Sequence, residues 1–210
     1  FTAILGGAKI ADKIPVIKNI INRVDNIVIG GGMMFTFLKA QGLEIGTSLL
    51  DESSLELVKD MLKQNKEKFI LPQDCLISDS FDAKNRTVGN IKTVSVDSIP
   101  FGWMGLDIGP ESIVKFSEIC KASKTVVWNG PMGVFEIDQT AKGTLEIAKV
   151  LAEVTKMGAI TIIGGGDSAS AVKKAGVASD MSHVSTGGGA SLELLQGKAL
   201  PGVEALTDKS

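Results

Sequence analysis

This 210-residue chain has one histidine, two cysteines and two arginines, and each scarcity closes off a class of chemistry. His183 opens an apolar run and reads as structural, which leaves no histidine for acid–base relay or triad chemistry. Cys75 and Cys120 lie far apart without metal-ligand spacing, so they read as reduced core thiols. Arg23 and Arg86 form no basic stretch, and a net charge of −2 supplies no field for nucleic acid. No apolar run approaches the roughly 20 residues of a membrane span, so a soluble, cytoplasmic protein is expected. No charged leader precedes Ile4, so no signal peptide is expected, and Phe1 in place of Met suggests a fragment or a processed chain. The phosphate-loop pattern GxxxxGK[ST] is also missing, as is any Ser/Pro-rich linker or long charge block.

Against these absences stand 44% apolar residues and 24 glycines, more than the usual ~7%. The glycines cluster after apolar runs. Short β-branched runs ("FTAIL", "NIVI", "KFILPQDCLIS", "TVSVD", "GLDI", "KTVVW", "AITII", "HVST") alternate with helical patterns such as Leu55, Val58, Met61 and Leu62. Pro110 suits the first turn of a helix over "PESIVKFSEICKAS". Apolar strands separated by amphipathic helices predict a doubly wound α/β fold, a mainly parallel sheet covered on both faces. Six or so strand–helix units fill one domain of this length, too few for an eight-unit barrel. Gly6-Gly7, Gly30-Gly31-Gly32, Gly130, Gly164-Gly165-Gly166 and Gly187-Gly188-Gly189 would then share the carboxyl edge, where such sheets bind ligands.

Glycine-lined helix starts present free N–H groups and partial positive charge, a setting for phosphate. Gly164, Gly166 and Ala169 nearly match the dinucleotide pattern G-x-G-x-x-[GA]. That match falls late in the chain, and "HVST" carries no acid to hold a ribose. Asp167 would repel bare phosphate unless a divalent cation lies between them, and Mg²⁺ is usually held by one or two carboxylates plus nucleotide phosphates. Lys9 and Lys13, four apart and on one face if that stretch is helical, are either solvated or a cationic pair for a transferring phosphoryl group. Glu136 is either a surface glutamate or a carboxylate for ribose hydroxyls.

Taken in order, "ILGGAKIADKI", "IGGGMMFTFL", "GWMGLDIGP", "WNGPMGVFE", "IIGGGDSASA" and "HVSTGGGASLELLQGK" resemble the carboxyl-terminal domain of the phosphoglycerate kinase family. The resemblance runs from Ala3 to Leu200. It implies that residues 1–210 are a nucleotide-binding domain with a Rossmann-like, three-layer, six-stranded sheet. The family is a glycolytic transferase, exchanging a phosphoryl group between ATP and 3-phosphoglycerate to give ADP and 1,3-bisphosphoglycerate. Lys13 and Lys9 would contact the phosphates and the moving phosphoryl group. Asp167 would hold Mg²⁺, with Ser168 beside it and Gly164, Gly165 and Gly166 near the phosphates. Glu136 would hold the ribose, Pro131 and Met132 would flank the nucleoside, and Gly30, Gly31, Gly105 and Leu106 would form the adenine slot. Gly187, Gly188 and Gly189 would face the transferred group when two lobes close.

A family member is about twice this length, and the amino-terminal lobe that binds 3-phosphoglycerate is absent here. The tail "LPGVEALTDKS" would return to that lobe. The expectation is a chain that binds MgADP or MgATP and transfers no phosphoryl group alone, monomeric when full length, with no nucleic-acid or membrane partner. Two other readings stay open: a nicotinamide-dependent oxidoreductase, which would prefer NADH to MgADP, and a non-catalytic binding module, which the presence of both Lys13 and Asp167 disfavours.

Overall fold

A computed structural model describes residues 1–205; the last five residues of the tail, 206–210, lie outside the described residues. In chain order, β1 (Thr2–Leu5), α1 (Ile14–Ile20), β2 (Asn26–Ile29), α2 (Met34–Ala40), α3 (Leu55–Asn65) and β3 (Phe69–Ile70) come first. Five strands follow: β4 (Asp74–Ser78), β5 (Phe81–Asp82), β6 (Thr87–Val88), β7 (Ile91–Ser95) and β8 (Met104–Ile108). The chain then runs through α4 (Pro110–Ala122), β9 (Thr125–Asn129), α5 (Lys142–Lys156), β10 (Ile160–Gly164), α6 (Gly166–Lys174), β11 (His183–Ser185), α7 (Gly188–Leu195) and α8 (Pro201–Glu204).

The expected parallel sheet is present, six-stranded and parallel throughout, in the order β11-β10-β9-β1-β2-β3. Its central strands have no polar face to offer: Ile4, Leu5, Ile27, Val28, Ile29, Trp128 and Ile163 are fully buried. β1 lies in the middle, so the chain builds outward to β3 on one side and later from β9 to β11 on the other. Right-handed crossovers running in opposite directions place their helices on opposite faces. Accordingly, α5 touches both α4 and α6, α2 touches α3, and α1 touches α7. The register aligns Leu5 with Ile29 and Asn129, Asn129 with Gly164, and Gly164 with Ser185, so one edge collects all these strand ends.

One expectation fails. "GLDI", "TVSVD" and the second half of "KFILPQDCLIS" do not join the parallel sheet: β8 pairs antiparallel with β4, which pairs antiparallel with β7, in a separate three-stranded sheet. β5 and β6 form a further hairpin. Burial alone could not reveal this, because Leu106, Asp107 and Ile108 are as enclosed as residues of the central strands. The small sheet is tied to α4 by Asp74. Its carboxylate accepts from the N–H groups of Glu111 (3.0 Å) and Ser112 (2.8 Å) and from the Ser112 hydroxyl (2.6 Å). Pro110 starts that helix as expected and needs no donor of its own.

Asp74 thus caps a helix from another element while buried itself. Replacing it with Ala should cost about 2 kcal/mol in urea unfolding, from a lost cap and unpaired buried donors. A loss below about 0.5 kcal/mol would contradict this coupling.

Candidate functional site

β1 and β9 are neighbours whose connections run away from each other, and the crevice beyond their carboxyl ends is where open α/β sheets take ligands. The turns there are locked together through backbone. Gly6 N–H donates to Asn129 O (2.9 Å), Gly7 N–H to Pro131 O (2.8 Å), Gly31 N–H to Met132 O (2.9 Å) and Met33 N–H to Gly7 O (2.9 Å). A Cβ on Gly31, whose φ is 64°, would lie 2.3 Å from Gly7 N. The close approach expected of a ligand is therefore made first by the chain itself. These glycines build a rigid floor.

Above that floor lies a cavity of about 350 Å³ lined by Gly6 to Lys9, Asp12, Lys13, Asn129, Gly130 and Gly165 to Ser168. Lys13 is buried, and its ammonium donates to the Asn129 side-chain oxygen. The Asn129 amide in turn donates to Gly164 O (2.8 Å), so one side chain links β9, β10 and the start of α1. Burial pushes the Lys13 pKa down to about 8, while the nearby carboxylates of Asp12 and Asp167 act the other way. Lys9 is exposed in the same cavity. The helical premise for the lysine pair does not hold: α1 begins only at Ile14, with Pro15 in its first turn, and Lys9 lies in the preceding loop. The pair converges through loop geometry instead.

Gly165, with φ 100°, ends β10 and caps α6 without a side chain. The first-turn N–H groups of α6 therefore open onto the cavity, and Asp167 stands exposed among them. Ser168 is buried, its hydroxyl accepting from Gly130 N–H (2.7 Å), so it holds the turn after β9 in place. Gly165 N–H donates to Ser185 O (3.1 Å), which brings the start of α7 alongside.

A second cavity, about 560 Å³, adjoins the first, sharing Gly7, Ala8 and Asp167. Its walls are mostly apolar or backbone, among them Gly31, Phe35, Leu49, Gly105, Leu106, Pro131 and Met132. A Cβ on Gly105 would run into the Phe35 ring at 1.9 Å, so β8 and α2 meet only because that position is bare. The loop after β9 is pinned by Thr144, which accepts from Met132 N–H (3.0 Å), and by Val134 N–H donating to Leu106 O (2.8 Å). Lys174 of α6 donates to Phe135 O (2.8 Å). Glu136 projects from this fixed loop, exposed, into the cavity lining. Buried Asp107 accepts from Gly143 N–H (2.6 Å) and Ile108 N–H (2.9 Å); burial raises its pKa to about 7 against the pull of those two bonds.

The residues singled out from sequence therefore divide. Lys9, Lys13, Gly165, Gly166, Asp167 and Ser168 share the smaller cavity, and Gly31, Gly105, Leu106, Pro131, Met132 and Glu136 the larger. Gly30 packs against Met132, Gly164 is buried in its strand, Gly187 and Gly189 line neither cavity, and the surroundings of Gly188 lie outside what the structure describes. Asn129, Asp12 and Asp107 were not singled out as site residues. The nearest signal was the turn sequence Asn129-Gly130-Pro131, which says nothing of a lysine 116 positions away. His183 begins β11, at the sheet edge away from the cavities. Cys75 and Cys120 are buried, and burial pushes both thiols up to about 12.

Among the described residues no three His, Cys, Asp or Glu side chains cluster to enclose a metal. One exposed carboxylate beside open helix N–H groups suits Mg²⁺, which keeps waters and takes phosphate oxygens as its remaining ligands. None of the described helices is long and apolar enough to cross a membrane.

Residues 1–198 match the family model described as phosphoglycerate kinase. A chloroplastic phosphoglycerate kinase of Volvox carteri is 57% identical over the whole chain, which covers 45% of that protein. The enzyme of Synechococcus elongatus is 56% identical over 98% of the chain, covering 51% of it. The structure of phosphoglycerate kinase from Coxiella burnetii superimposes with a TM-score of 0.89 at 35% identity, over 97% of this chain and 51% of that one. The chain thus spans about half the length of the curated relatives it matches, and with its fold, its glycine-floored crevice and nearly its full length accounted for, it belongs to the phosphoglycerate kinase family.

Proposed function

We propose that this chain is the nucleotide-binding half of a phosphoglycerate kinase, taking MgADP or MgATP along its two joined cavities. The observation that carries the reading is their division of labour at the switch point. The larger is lined mostly by apolar side chains and backbone, as a base requires; the smaller presents Lys9, Lys13 and the open start of α6, as phosphates require. Their shared wall at Gly7, Ala8 and Asp167 is where a ribose and its first phosphate would pass.

The base lies between the Gly31 side and Gly105–Leu106, with Pro131 and Met132 beneath the nucleoside. Glu136 accepts from ribose hydroxyls. Lys13 and Lys9 donate to the terminal phosphates, and Asn129 aims the Lys13 ammonium. Mg²⁺, held by Asp167, supplies neutralising charge on the phosphate oxygens. Gly187 to Gly189 open α7 beside this turn and face the transferred group when an amino-terminal lobe closes. That lobe binds 3-phosphoglycerate in the intact enzyme. Catalysis is positioning and charge neutralisation, with no covalent intermediate. This chain alone should bind nucleotide and lack turnover of 3-phosphoglycerate with MgATP. A calorimetric titration with saturable one-to-one MgADP binding supports the reading; binding of NADH in its place, or measurable turnover, overturns it.

Asp167→Ala should weaken ADP binding at least tenfold with Mg²⁺ present and little without it. Equal loss in both conditions would contradict the metal assignment.

Lys13 supplies a pH test. With its folded pKa at about 8, the free protein loses the ammonium as pH rises through 8, whereas phosphates require it charged. Binding must then take up a proton, and the MgADP dissociation constant should rise with pH above 8, approaching tenfold per unit. Titrations at pH 9 in buffers of different ionisation heat should show that uptake in the parent chain and none in Lys13→Gln. A flat profile in the parent chain would contradict the role of Lys13.

A further inference from the structure

One charged side chain on the wall of the larger cavity has no part in the reading above. The hairpin of β5 and β6 folds over that cavity, lining it with Phe81, Ala83 and Arg86. Its turn is set by Asp82, whose carboxylate accepts from Lys84 N–H (2.9 Å), Asn85 N–H (3.0 Å) and the Asn85 amide (2.7 Å). Arg86 follows with φ 54°, the one non-glycine residue with positive φ among those described. Glycine or asparagine suits that backbone, and an arginine there is strained. Nothing within the fold repays the strain: among the described residues the Arg86 guanidinium makes no hydrogen bond or ion pair, and the side chain is exposed. Among the described residues that line the cavity it is also the only basic group; the other charged groups there, Asp107, Glu136 and Asp167, are all acidic.

We infer that Arg86 is a base-contacting residue: its guanidinium lies flat on the purine ring of the bound nucleotide and closes the open side of the base pocket. The inference rests on the nucleotide reading of the site. A planar, weakly hydrated cation over an apolar slot is suited to stacking on a π face, and a purine offers the larger face. The left-handed turn is what carries Arg86, rather than Asn85, to the cavity wall. Phe81 on the same hairpin supplies apolar surface beside it.

The test compares Arg86→Gly and Arg86→Lys with the parent chain, titrated with MgADP and with magnesium tripolyphosphate, which has phosphates and no base. Glycine suits φ 54°, so Arg86→Gly should melt no lower than the parent chain. Its MgADP affinity should nevertheless fall about five- to tenfold, the range for a cation over an aromatic face, with tripolyphosphate unchanged. Arg86→Lys keeps the charge without the plane and should recover less than half of the loss. MgADP affinity within twofold of the parent, equal losses for both ligands, or full recovery by lysine would each overturn the inference. Failure of the parent chain itself to bind MgADP would overturn the nucleotide reading instead, so the two failures are distinct.

Discussion

A lysine carried out of water needs a partner that does not cancel its charge, and the site depends on how Lys13 finds one. Its ammonium donates to the neutral side-chain oxygen of Asn129, while Asp12 and Asp167 act on it only as nearby charges. A neutral acceptor orients the group and leaves its charge for phosphate; a direct carboxylate contact would have spent that charge within the protein. Burial makes the bare ammonium costly, as its lowered pKa records, so an arriving anion recovers that cost. Asn129 can play this part because the register sets its position beside the end of β1 and lets its amide reach Gly164 O. One side chain thereby joins β9 to β10 and to the start of α1.

The rest of the architecture serves that crevice. The interlocked turns after β1, β2 and β9 remove freedom from the floor, so donors there are fixed before a ligand comes. The small antiparallel sheet supplies the far wall through Gly105 and Leu106 and is itself anchored by Asp74 to α4 and by Asp107 to α5. In the proposed function, preorganised charge of this sort would act without rearrangement when a phosphoryl group moves. The hairpin bearing Arg86 stands apart from both larger sheets, where a contact with the base can be added without disturbing the floor.

Much of this was readable in the residues. Glycine clusters following β-branched runs located the carboxyl edge, and Lys9, Lys13 and Asp167, singled out by residue type and position, do share one cavity. The reason given for the glycines was incomplete: Gly6 and Gly31 are bare mainly because backbone meets backbone there. β8 was assigned to the wrong sheet because pairing partners are chosen by tertiary packing, and "GLDI" carries the same local signal as a parallel strand. The bond between Lys13 and Asn129, and the left-handed backbone at Arg86, depend on contacts or turn geometry that no local pattern encodes.

The most direct test of the account is an amide NMR titration of this chain with MgADP, followed residue by residue. The account predicts saturable shifts at Gly7 to Lys13, Asn129, Leu106, Glu136 and Gly165 to Ser168, with His183 at the opposite edge unmoved. Saturable binding whose shifts fall elsewhere, leaving the crevice between β1 and β9 silent, would contradict it.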